Sequence, residues 1–341
     1  MKNKAQMSTL DKLKGFGMFA WQEGTVYIIL IVLIILFSCF NPAFLSANNI
    51  YNLITQSTYY IIAGMGISFV MISGGLDLSV GYQMAVISCI SAILMLSVGA
   101  PIWICFIIGP ALGFGMGCIN GFITAKLKIF PLIVTLATSE VFKGIAYTMT
   151  QSKTYSGMPD AFRALYKVKL MGLPIDVYVA LAAVIVTWIV LNKTYFGRNV
   201  LAVGGNRECS RLSGIKSNRV QILCFAICGA IFGLVALDMM AQQNMTSAST
   251  GPGTEFICLT AAIIGGISFT GGKGNVWGMV AGIFVMQIIS NGMQLAGWGT
   301  YAQYAVKGLI LIAAITFDSM KSRPKPVVRV RSEVSEEQKA E

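Results

Sequence analysis

Successive stretches of about twenty apolar residues, separated by short polar breaks, constrain this chain more than any other feature. A helix of that length spans the roughly 30 Å hydrocarbon core of a bilayer. Lipid offers no water to a backbone N–H or C=O, so such stretches fold as helices. They fall near residues 25–40, 52–73, 82–98, 102–124, 131–150, 174–191, 221–241, 255–269, 276–293 and 301–317. The eighth is short, as expected of a tilted, broken or partly re-entrant helix packed within protein. The fold class expected is an all-α integral membrane protein of about ten transmembrane helices. Composition agrees: 55% of the 341 residues are hydrophobic and 11% are charged, against about 25% charged in soluble domains.

The net charge is +11. In a soluble protein this would suggest nucleic acid as partner; here the enrichment of Lys and Arg in cytoplasmic loops accounts for it, and the partner is the lipid bilayer. With the N-terminus inside and the spans alternating, the inner segments hold Lys2, Lys4, Lys12, Lys14, Lys126, Lys128 and Lys273. They also hold the six basic residues of an island at 192–220 (Lys193, Arg198, Arg207, Arg211, Lys216, Arg219) and six in the tail (Lys321, Arg323, Lys325, Arg329, Arg331, Lys339). The outer segments hold Lys153, Arg163, Lys167 and Lys169, all in one loop at 151–173, while Lys143 and Lys307 fall within spans. Both termini are therefore expected in the cytoplasm. The chain divides into a cytoplasmic N-terminal segment (1–24), a transmembrane domain (25–319) and a cytoplasmic tail (320–341), which has no apolar period and is expected to be disordered. A signal peptide cleaved near Leu45-Ser46-Ala47 is the other reading of the N-terminus; the many spans that follow favour a first membrane span.

Histidine is absent, and the eight cysteines form no C-x-x-C pair or ligand cluster. That removes the commonest general base and metal ligand, and the cysteines read as small buried hydrophobes. Gly271-Gly272-Lys273-Gly274 is the nearest thing to a phosphate-binding loop, but it lacks the first glycine at the right offset and the Ser or Thr that meets magnesium. A tight cytoplasmic turn is expected there instead. Gly113, Gly117 and Gly121, and again Gly278 and Gly282, recur every fourth residue. Such faces let helices approach closely, and packing within the bundle is favoured over a dimer seam.

A few polar residues stand out against this background. Gly74-Gly75-Leu76-Asp77-Leu78-Ser79-Val80-Gly81 separates the second and third spans. Asp77 is expected to cap the following helix, or to act in a gate or path, because an acid at membrane depth needs a partner. Glu140 and Lys143 share one face of the fifth span and are expected to neutralise each other inside the bundle or to meet a substrate. Asp238 and Glu255 flank the outer loop that contains Asn244, where solvated span ends compete with an entry vestibule. Asp77, Ser79, Glu140, Asn244 and Glu255 are the candidates for a path or gate. In the basic island, Gly204-Gly205 breaks the chain, Asn206 is placed to cap a short helix running to about Leu212, and Gly214 is placed to stop it. Arg207, Arg211 and Lys216 would then face the cytoplasm. Membrane topology requires charge but no ordered helix, so this grammar points to a protein-docking element.

Four segments carry a family likeness: ISGGLDLSVG at 72–81, FPLIVTLAT at 130–138, FGRNVLAVGGNRECSRLSGI at 196–215, and the run from AAIIGGISFTGGKGNVWG (261–278) to YAQYAVKGLILIAAITFD (301–318). The chain resembles the permease subunits of ribose/galactose-type sugar ABC importers. The resemblance implies a homodimer, a cytoplasmic ATP-binding subunit that holds ATP and magnesium (none being bound by this chain), and an extracytoplasmic solute-binding protein. It also implies that the loop at Gly204, Gly205, Asn206, Arg207, Glu208, Arg211, Leu212 and Gly214 engages the ATPase. Two departures from the family's pattern are Ala137, where glycine is usual, and Ile257, where a second acid usually follows the one at Glu255.

The function expected is that of a non-enzymatic transport subunit in a bacterial inner membrane, moving a monosaccharide-like solute by alternating access driven by the partner ATPase. The alternative is an ion-coupled secondary transporter of a small polar solute, for which Asp77, Glu140 and Asp238 would supply the acids.

Overall fold

The structure is a computed structural model and describes residues 9–321. The chain is built of helices α1 (Thr9–Phe40), α2 (Ala47–Ile72), α3 (Val80–Leu96), α4 (Ile102–Leu127), α5 (Pro131–Thr150), α6 (Asp160–Lys167), α7 (Ile175–Lys193), α8 (Tyr195–Gly205), α9 (Arg207–Leu212), α10 (Ser217–Gln243), α11 (Thr254–Ile264), α12 (Val276–Leu295) and α13 (Thr300–Lys321), with a 3₁₀ turn at Pro42–Leu45. Six of these (α2, α4, α7, α10, α12, α13) are long and apolar enough to cross a membrane. The apolar part of α1 (Gly24–Phe40), α3 and α11 are shorter. Each expected span falls on a helix, but α5, which carries the fifth, is in neither group, and the tail from residue 322 lies outside the described residues.

The eighth span ends early. α11 stops at Ile264 because Gly266 turns left-handed (φ +86°). Its N–H bonds to the Ile263 carbonyl at 3.0 Å and that of Ile267 to Ala262 at 2.8 Å, the paired bonds of a glycine C-cap. α2 ends in the same way, with Gly74 (φ +80°) bonded to Met71 and Gly75 to Val70, each at 2.9 Å. The fold is also not purely helical. The segments between helices pair two-residue strands, β1 (Tyr155–Ser156) with β4 (Met245–Thr246) and β2 (Lys169–Leu170) with β3 (Leu173–Pro174), both antiparallel. Backbone that leaves the bundle must still find partners for its N–H and C=O groups, and these ladders supply them.

α2, α10 and α12 are two-thirds buried and form the centre, whereas α4, α7 and α13 lie outside. The longest seam joins α4 to α10. A Cβ on Gly113 would strike the Gly229 carbonyl and one on Gly229 the Gly113 carbonyl; Gly117 meets Phe225 O in the same way. The glycines of α12 do likewise: Gly278 abuts Gly265 O, and Gly282 abuts Ala261 O. Both repeats thus serve packing within the bundle, as expected.

Candidate functional site

Two helix starts meet inside the bundle. α3 begins at Val80, after the chain has turned back from the end of α2, and α11 begins at Thr254. Glu255, buried in the first turn of α11, lies so close to Gly81 that a Cβ there would strike its carboxylate. Both Glu255 oxygens accept the Gly253 N–H at 3.0 Å, placing a carboxylate at the positive end of its own helix. Glu255 is therefore neither a solvated span end nor the wall of an open vestibule.

Asp77 does not cap α3 in the expected way. Its Oδ1 accepts the Ser79 N–H at 2.9 Å and the Ser79 hydroxyl at 2.6 Å, and Ser79 stands at the N-cap without bonding the helix's own N–H groups. The Ser79 Oγ in turn accepts from Gln83 Nε2 and Asn120 Nδ2, each at 2.7 Å. One hydroxyl thus links the α2–α3 turn, α3 and α4 in a fully buried polar cluster. Gln83 and Asn120 were not singled out by sequence reasoning, although the spacing of Ser79 and Gln83 on one helix face was a visible signal.

Glu140 and Lys143 pair at 3.3 Å, but not within the bundle: their side chains are 71% and 42% exposed. α5 packs mainly on α3; it buries Val134, Thr135, Ser139, Phe142, Ala146 and Thr150 and leaves Ile133, Leu136, Val141 and Ile145 exposed beside the charged pair. Lys143 also lies 5.9 Å from the Tyr82 ring centroid.

At the end of α10, Asn244 holds the following loop to the segment after α5. Its Oδ1 accepts the Met158 N–H at 3.0 Å and its carbonyl accepts that of Gly157 at 3.3 Å. Asp238 is buried; Gln242 donates to it at 2.9 Å and reaches Asp176 on α7 at 3.4 Å.

The basic island forms two short helices, α8 and α9. The Asn206 Oδ1 accepts the Cys209 N–H at 2.9 Å, capping α9, and Gly214 (φ +85°) closes it. Glu208, Cys209, Arg211, Leu212 and Lys216 are exposed, Leu212 by 75%. Arg211 forms an exposed pair with Glu208, and its guanidinium holds the Glu208 carboxyl below the usual carboxylate range. Arg207 is not displayed. It turns inward, bonding the Ala125 carbonyl at 3.1 Å and Asn218 Oδ1 at 2.9 Å, and partial burial lowers its pKa. Those acceptors sit at the end of α4 and the start of α10, close enough to capture a long side chain that would otherwise reach water.

A profile of the family described as branched-chain amino acid transport system / permease component matches residues 49–315, which is most of the chain. The chain belongs to this permease family. It is 34% identical over 310 residues to the L-arabinose transport system permease protein of Escherichia coli, covering 90% of this chain and 94% of that one. It is 32% identical over 295 residues to the ribose import permease protein of Bacillus subtilis, covering 86% and 91%. It is also 32% identical over 333 residues to the galactose/methyl galactoside import permease protein of E. coli, covering 92% and 98%. No solved structure matches the chain. The matched region of this permease takes in the buried Asp77 cluster, the Glu255 helix start, the α5 face and α9.

Proposed function

We propose that this chain is the membrane-spanning permease subunit of a binding-protein-dependent ABC importer, and that it moves a monosaccharide-like solute across the bacterial inner membrane by alternating access. The observation that carries this reading is α9. It is a capped helix held to α4 and α10 by Arg207, and it presents Leu212, Arg211 and Glu208 outward. An exposed leucine beside a charged pair on an ordered helix is built to enter a protein cleft, with an apolar anchor and a polar rim. The occupant is a cytoplasmic ATP-binding subunit, which holds ATP and magnesium. An extracytoplasmic solute-binding protein delivers the solute to the outer surface. The chain is read with about ten spans and both ends inside, as the charge distribution supports.

The path lies between two copies of the chain, along the open face of α5. A carboxylate and an ammonium halfway along a span do not face lipid, where each costs about 3 kcal/mol or more; they border water or a partner. The sugar class rests on the relatives, whose names are those of arabinose, ribose and galactose permeases. Proteoliposomes holding the purified complex of permease and ATPase, with the binding protein outside and labelled L-arabinose, D-ribose or D-galactose offered, test the reading. Uptake of at least one sugar should require internal ATP and ignore ionophores. Uptake driven by a proton or sodium gradient without ATP would overturn it in favour of an ion-coupled transporter.

A further inference from the structure

Three separate loops bring pairs of glycines to one point. Gly74-Gly75 follows α2, Gly204-Gly205 ends α8, and Gly271-Gly272 lies between α11 and α12. A Cβ on Gly204 would strike the Ile72 carbonyl and the Gly272 nitrogen. One on Gly271 would lie 2.7 Å from Gly74 Cα, and one on Gly272 would lie 2.6 Å from the Gly205 nitrogen. Gly271 and Gly272 are both left-handed, at φ +87° and +76°. The Gly272 N–H donates to the Ile72 carbonyl at 2.8 Å. Almost every atom in these contacts is backbone, so no side chain can rotate away to absorb a displacement.

What leaves this point matters as much. Arg207, the first residue of α9, lies just beyond Gly205. From Gly74 the chain runs through Asp77 to the start of α3. From Gly271 it runs back through the Gly265-Gly266 cap to α11, an eleven-residue helix about 16 Å long, at whose far end stands Glu255. The end of α13 is tied in as well, since Asp318 accepts the Phe269 N–H at 3.1 Å.

We propose that Gly74, Gly204, Gly271 and Gly272 are positioning residues that form a backbone joint, through which α9 moves the turn before α3 and the end of α11 together. One displacement at the cytoplasmic face would then shift both of the helix starts that meet at Gly81 and Glu255. Interlocked backbone moves as a unit, because packed interiors do not deform continuously. This inference rests on the reading of α9 as the ATPase-docking helix.

The test uses the permease copurified with its ATPase and reconstituted with binding protein. Gly271→Ala and Gly272→Ala should retain the ATPase at wild-type stoichiometry and hydrolyse ATP, yet lose uptake about tenfold or more. Gly115→Ala, on the open side of α4 with nothing within 4 Å of its Cβ, is the control with uptake unchanged. Hydrogen exchange on the wild-type complex gives a readout that does not depend on the variants' folding. The Gly272 amide should stay protected with and without ATP, while the amides of 76–79 change. Uptake within about twofold of wild type in Gly271→Ala, or ATP-dependent loss of Gly272 protection, would overturn the joint while leaving docking intact. A wild-type permease that brings down no ATPase would overturn the docking reading and the joint with it.

Discussion

Arg207 and Arg211 lie one turn apart on α9 and meet opposite surroundings. Arg207 bonds a main-chain carbonyl of α4 and a side-chain amide of α10, half out of water. Removing it leaves both acceptors short of a charged donor, a loss of about 2 kcal/mol. Arg207→Ala should therefore lower the melting temperature of the detergent-solubilised permease, and an unchanged melting curve would refute the anchoring role. Arg211 pairs only with Glu208 at an exposed surface, where ion pairs contribute little to folding. Arg211→Glu should leave the melting curve where it is and weaken retention of the ATPase; retention at the wild-type level would remove Arg211 from the docking face. The sequence does not separate the two arginines, because what divides them is tertiary. Asn206 and Gly214 are legible for the opposite reason: a cap and a left-handed stop act within a few residues. Asp77 falls between these cases. Its need for a partner is plain from its depth, but Asn120 arrives from another helix, 41 positions beyond Ser79.

Helix positions along the chain follow from apolar length alone, and the four-residue glycine repeats identify the close seams before any coordinates are known. What the repeats do not reveal is the facing helix. Gly113 fits against Gly229 and Gly117 against Phe225, and α10 carries its own glycines in the matching register. A methyl group on Gly113 would push into the Gly229 carbonyl with no room to yield, an overpacking cost of about 1–3 kcal/mol. Gly113→Ala should reduce the yield of folded permease on size-exclusion chromatography, while Gly115→Ala, on the open side of the same helix, should not. Equal yields would show that the seam tolerates separation. α11 was legible as irregular from its shortness, but its stopping point depends on Gly266 adopting a left-handed turn, which a run of glycines permits without fixing the residue.

Among the described residues, the uncovered faces of α7 and α5 differ. The open side of α7 carries Val179, Leu181, Ile185, Val186 and Ile189, all apolar and suited to lipid. The open side of α5 carries Ile133, Leu136, Val141 and Ile145 together with Glu140 in the middle of a twenty-residue helix, Gly144, Tyr147 and Thr148, with Lys143 at its edge. Hydropathy marks α7 as long and apolar enough to cross a membrane and does not mark α5 so, and for neither can it say which residues look inward, because that depends on which neighbour covers them. α3 covers one side of α5, and the other side leaves the charged pair exposed among apolar residues. The charged pair on this face favours water or a second copy over lipid as its neighbour. Cysteines placed singly at Gly144 and at Val186 separate the cases. In membrane vesicles the thiol at position 144 should react with a membrane-impermeant maleimide and cross-link to a second copy under mild oxidation. The thiol at position 186 should do neither, since lipid excludes the reagent and no partner faces it. If both positions are equally inert, α5 faces lipid, the charged pair is buried by some other means, and the path does not run along this helix.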